Sequence, residues 1–259
     1  MRLTVLDRGH RLPARMFFGF TELVSRVPMS DVPKTLLYRP DFFGAVFLDL
    51  SAKAMRGPSF WTAGEREYMA QQTAERLQCP YCAVTHTELV QIAGDPSPLR
   101  PELVAALTFL ADLTPPDLDR DATVDALNVS LIWQVVNRLA NTFDFQLLPG
   151  QLETGTRSLH RFGYRFPGFL TGKATGTLRE AVLEAPAHTS PELRQAAAAG
   201  DAWGSYAATI RDASYRITDD DIARLKQDHT EDEIFEVTVA AAVGAALDHY
   251  DTGLKILGG

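Results

Sequence analysis

Along most of this chain, apolar residues recur every three or four positions, and nowhere do they alternate in and out over the length of a strand. That spacing is the period of a helix with one buried face, whereas a sheet needs a period of two. In 120–141, "RDATVDALNVSLIWQVVNRLAN", residues Leu127, Leu131, Val135 and Leu139 fall on one face at a spacing of four. Similar patterning predicts helices at 14–27, 29–40, 41–55, 62–77, 81–94, 101–112, 178–184, 191–211, 219–228 and 231–257. The best strand candidate, "TVLD" near the amino terminus, is too short to build a sheet alone. The expected fold class is all-α, as one extended helical domain over 1–259.

Punctuation supports several of these boundaries. Thr62 with Glu65 three residues on is a capping-box pattern, and Gly94 followed by "DPSP" is a strong stop. A motif-bearing core is expected at about 41–141 and a C-terminal helical part at about 177–259. Between them, 142–176 is rich in Gly, Pro and aromatics and reads as an irregular insert: a wrapper, a lid or an oligomer contact. A weak internal echo sets Glu67 against Glu236 and Tyr81 against Tyr250, with Cys79, Cys82 and His86 opposite Asp248, Asp251 and Lys255. If this is a repeat, the second copy is degenerate and has lost its sulfur chemistry.

The chain is long enough to bury a substantial core, and its 46% hydrophobic and 22% charged residues suit an ordinary globular protein. A net charge of −8 gives a nucleic-acid partner no electrostatic support. The acidic run 218–233 reads as helix-start capping and solvation. No stretch approaches the roughly 18 apolar residues of a membrane span, so no membrane partner is expected. The amino terminus lacks the apolar run and cleavage site of a secretory signal. Only two cysteines occur, within four residues, which excludes a secreted disulfide framework. A cytoplasmic location is expected, where such a pair is catalytic, redox-sensing or metal-binding.

The pair lies in "CPYCAVTH", residues 79–86. Pro80 suits a first helical position, so Cys79 sits at a helix start and Cys82 in its first turn, with both side chains to one side. The positive end of the helix dipole is expected to lower the thiol pKa from about 8.5. His86, one turn beyond Cys82, can take its proton directly or through a water. Glu67 lies fifteen residues before Cys82 on the preceding helix. A chain reversal near 78–80 would let it reach His86, fix the tautomer and accept a proton. The same residues, Cys79, Cys82, His86 and Glu67, offer a zinc-type ligand set, although no second separated ligand pair accompanies them. A glutaredoxin places its Cys-x-x-Cys after a strand; here sixteen helical residues, 62–77, precede it.

The wider pattern, "GEREYMAQQTAERLQCPYCAVTH", resembles the alkylhydroperoxidase D-like proteins of the carboxymuconolactone decarboxylase superfamily. The match covers about residues 56–94, and "VVNRLAN" and the final helix are similar more diffusely. The resemblance implies an alkylhydroperoxidase D-like helical fold, a homo-oligomer (trimer, dimer or hexamer) and thiol-dependent reduction of hydroperoxides. It assigns Cys82 as the peroxidatic thiol, Cys79 as the resolving thiol, and His86 and Glu67 as the proton relay. It implies no bound cofactor and no metal, with an external dithiol carrier or reductase protein as reductant. Tyr81 departs from the histidine found between the cysteines in the best-known branch, and a phenol cannot shuttle protons at neutral pH.

Two other function classes stay open at this point. One is a non-enzymatic redox sensor or oligomeric scaffold. The other is an acid–base decarboxylase or isomerase using His86 and Glu67 on a small acidic metabolite. Asn137, Arg138 and Asn141 read as packing or surface polarity, Arg56 as a cap or surface residue, and Asp248 and Asp251 as lacking a distant partner to close a metal site.

Overall fold

Helices dominate because nearly every apolar run has the helical period, and the chain is all-α. The structure, a computed structural model, describes residues 1–258 and contains no β-strand among them. In chain order the helices are α1 (Val5–Arg8), α2 (Leu12–Ser25), α3 (Asp31–Tyr38), α4 (Ala45–Arg56), α5 (Ala63–Arg76), α6 (Pro80–Ala93) and α7 (Pro101–Asp112). Then follow α8 (Arg120–Phe143), α9 (Gln151–Phe162), α10 (Gly168–Thr171), α11 (Pro191–Ala199), α12 (Tyr206–Ala213), α13 (Asp219–Asp228) and α14 (Glu231–Ile256). Wide π turns at Pro40–Gly44 and Glu180–Glu184 and a tight turn at Ser214–Arg216 fill three of the connections.

The two longest helices form the centre. From Val129 to Ala140 every residue of α8 is buried, and α14 is buried from Ile234 to Gly244. A helix apolar on all sides belongs inside other helices, and these two pack on each other. Helices α4 and α5 cover one side of α8, while α11 and α12 cover α14. The buried apolar side chains, from Leu3 to Leu247, make one continuous core.

The part that positions the candidate site is the α5–α6 hairpin. Thr62 and Glu65 close their capping box at the start of α5. Gln78, in the left-handed region at φ 51°, reverses the chain before Cys79. Gly64 at the start of α5 lies against Gly94 at the end of α6 so closely that a Cβ would sit 1.7 Å from the Gly94 carbonyl oxygen. Only glycine permits that approach, which holds the two helices together at the end away from the turn.

The fragment too short for a sheet is helical, and three expectations are corrected. "TVLD" contributes to the short helix α1, consistent with its lack of any strand partner. The predicted helix 191–211 breaks at Gly200, whose φ of 94° ends α11. The segment 142–176 is not irregular throughout: it contains α9 and α10. The internal echo also loses its structural basis, because α14 runs unbroken across the register where α5 turns into α6. No helix among the described residues is long and apolar enough to cross a membrane.

Candidate active site

The site starts at the hairpin turn. Pro80 occupies the first turn of α6, and Cys79 is its N-cap, its sulfur accepting the Cys82 N–H at 3.3 Å. The spacing of three brings the two Sγ atoms to 2.6 Å, and both cysteines are free thiols. Cys82 is 2% exposed. Burial, reinforced by Cys79, pushes its thiol well above the ordinary range. This corrects the expectation of a lowered value, because removing the sulfur from water outweighs the helix dipole.

One turn further on, His86 Nδ1 meets Glu67 Oε2 at 2.8 Å across the hairpin, and both residues are fully buried. Burial alone would raise the Glu67 pKa. The hydrogen bond and charge of His86, together with the Arg56 guanidinium, hold it below the usual carboxylate range. An ionised carboxylate only accepts hydrogen bonds, so Nδ1 must carry a proton, and in the neutral ring Nε2 keeps the lone pair. His86 Nε2 is buried and hydrogen-bonds to no protein atom. No direct Nε2–sulfur bond forms, which leaves the route through a water or a substrate oxygen.

Glu67 has further partners that the sequence reading missed. Arg56, at the end of α4, donates Nη2 to Oε1 at 2.6 Å. It is no surface residue, because the end of α4 lies against α5. Tyr164 donates its hydroxyl to both Glu67 oxygens, at 2.9 and 3.0 Å. The Arg56 guanidinium also sits over the Tyr164 ring, 5.1 Å from its centroid. Burial and the nearby Glu67 charge keep Tyr164 protonated well past the ordinary phenol range, so it remains a donor. Gly163 and Tyr164 both adopt left-handed backbone, at φ 61° and 63°. That conformation is unusual for a bulky residue, and it drives the ring inward at the end of α9. Trp133 meets the His86 ring edge-on, 3.9 Å between centroids, while its Nε1 faces Met55 Sδ at 3.2 Å.

Cys82 and His86 line a cavity of about 400 Å³ between α2, α3, α4, α6, α8 and α9. Phe17, Phe47, Ile132 and Val136 give it apolar walls, and Arg165 is the only lining residue with a full charge. Tyr81 also lines it, packed edge-on against Phe145 with centroids 5.6 Å apart. Among the described residues, no three His, Cys, Asp or Glu side chains converge to hold a metal ion.

The other residues considered lie outside the cavity wall. Asn141 bonds the Leu77 carbonyl and Ser214, and Arg138 bonds carbonyls of Gln134 and Arg211. Asp248 and Asp251 form surface ion pairs with Arg211 and Arg179. Asn137 is fully buried with both amide atoms unpartnered. Comparison with family models, curated proteins and solved structures yields no match.

Proposed function

We propose that this protein is a thiol-dependent peroxidase of the alkylhydroperoxidase D-like type, with Cys82 as the attacking thiol and Cys79 as the resolving one. The observation that carries this reading is that Cys82, in contact with Cys79, and His86, paired with Glu67 and with its other nitrogen unpartnered, line one cavity. At rest, Cys82 is a thiol. His86 Nε2 takes its proton through a bridging oxygen, and the sulfur attacks the terminal oxygen of the hydroperoxide. The O–O bond breaks, and the departing alkoxide takes the proton back from His86 as an alcohol. Cys82 is left as a sulfenic acid. Cys79 then attacks that sulfur, an S–S bond forms, and the hydroxyl leaves with a proton as water. An external dithiol carrier returns two electrons and two protons to the pair.

Glu67 balances the imidazolium during this cycle, and Arg56 and Tyr164 hold Glu67 in place. The competing acid–base reading on a small acidic metabolite meets a cavity whose walls near His86 are apolar. The resemblance further suggests a homo-oligomer. The decisive experiment is Cys82→Ser. Turnover of an organic hydroperoxide with a dithiol should fall to the uncatalysed rate; undiminished turnover rejects the thiol mechanism. Activity lost with His86 but retained without either cysteine would select the acid–base reading instead.

A further inference from the structure

Helix α2 carries two apolar faces, although a surface helix needs only one. Ala14 and Phe18 point into the core. Leu12, Met16, Phe20 and Leu23, at spacings of four, four and three, point outward with Val24 beside them. Phe162 at the end of α9 and Phe169 in α10 extend the same surface, since α10 packs on α2. The exposure of these side chains runs from 62% for Phe162 to 79% for Leu23. Large apolar groups projecting together in this way mark a contact surface.

The charge around them identifies the partner. Segments 11–26 and 150–166 hold six arginines against two acidic residues, Glu22 and Glu153, in a chain with 25 Lys and Arg against 33 Asp and Glu. Arg11 pairs with Asp41, but Arg15, Arg26, Arg157, Arg161 and Arg165 form no ion pair among the described residues. A two-fold contact between copies through this face would set arginines against arginines, which is costly. An anionic lipid surface supplies phosphates for the guanidinium groups and an acyl boundary for the apolar side chains. Phe20 and Phe162 also line the cavity, so its mouth opens within this surface.

We propose that the α2–α9–α10 face docks reversibly on an anionic bilayer, with the cavity mouth toward the lipid. The expectation of no membrane partner rested on the lack of a spanning segment, and peripheral docking needs none. The proposal is independent of the thiol chemistry.

The test is co-sedimentation of the full chain with vesicles of equal parts phosphatidylglycerol and phosphatidylcholine, at about 0.1 M salt. Binding should be at least about tenfold weaker to pure phosphatidylcholine vesicles, and about tenfold weaker for the double variant Met16→Glu/Leu23→Glu. Far-ultraviolet circular dichroism checks that the variant is folded; the single variant Leu23→Glu serves if it is not. No binding of the wild type to the anionic vesicles overturns the proposal, as does binding that survives both substitutions. Light scattering reads the other occupant. A wild-type oligomer that these substitutions split into monomers, with no vesicle binding, makes this face a contact between copies and overturns lipid docking.

Discussion

Two fully buried glutamates sit near the starts of long helices, and the contrast between them separates a functional carboxylate from a structural one. Glu236 on α14 accepts the N–H groups of His188 and Thr189 at 2.9 and 2.7 Å, the Thr189 hydroxyl at 2.6 Å and Arg39 at 2.8 Å. These partners are two backbone N–H groups, a hydroxyl and a guanidinium, so Glu236 ties the 185–190 connection to α14. Glu67 is held by an arginine in the same way, but its remaining bonds go to an imidazole and a phenol. Burial and an Arg partner are therefore poor markers of function; what distinguishes Glu67 is a titratable neighbour facing a cavity.

The largest effect comes from applying the same change to both sites. Glu67→Gln should lower hydroperoxide turnover by roughly 10²–10⁴-fold, the range for a disabled acid–base group. Glu236→Gln should leave turnover per folded molecule near wild type while reducing stability by about 3–5 kcal/mol, the cost of breaking a buried ion pair. Peroxide assays on protein verified as folded, with urea melts in parallel, read both. Equal losses of turnover in the two variants would collapse the distinction and reduce Glu67 to a packing residue.

The sequence carried the elements of this contrast unevenly. The helical period, the Thr62–Glu65 box and Pro80 are local signals, and they locate α5, α6 and the thiol pair correctly. The turn at Gln78 that brings Glu67 to His86 could be anticipated from the break near 78–80. Tyr164 could not, because it lies 97 residues beyond Glu67 and enters from a segment whose pattern hides its helix. Gly155, in the middle of α9, and the polar residues around it mask a spacing that Leu152, Leu159 and the terminal Gly163 would otherwise betray. Arg56 is hidden for a related reason: its neighbours in sequence suggest a helix end, and its charge is covered by α5 together with the distant Gly163–Tyr164 turn. The Cys82 thiol shows the same limit. The helix dipole is visible in the sequence, while the desolvation that overrides it comes from tertiary packing around the sulfur.

Tyr164 gives the next smaller effect. Tyr164→Phe removes a donor from both Glu67 oxygens but keeps the ring beneath Arg56. Turnover should fall by about tenfold, with a stability loss of about 1 kcal/mol, the net worth of a buried hydrogen bond plus relaxation. Because the phenol acts only through Glu67, the loss should largely vanish in a Glu67→Gln background. A double-mutant cycle on turnover measures this coupling, and strictly additive losses would show that Tyr164 serves the fold rather than the relay.

The smallest effect is on stability in acid, and its sign follows from Glu67. Its folded-state pKa lies below the ordinary glutamate value of about 4.3, so folding favours the ionised form. The resulting stabilisation is fully present above that value and is lost as pH falls from it through the folded-state pKa. Glu65, Glu231 and Asp221 are also held below the usual carboxylate range, so wild-type acid unfolding alone does not isolate Glu67. The stability difference between wild type and Glu67→Gln does, because the variant lacks only this contribution. In urea melts from about pH 6 to about pH 3, that difference should narrow. A constant gap would mean that Glu67 keeps an unshifted proton affinity in the fold, and the charge-balancing role assigned to it would fail with it.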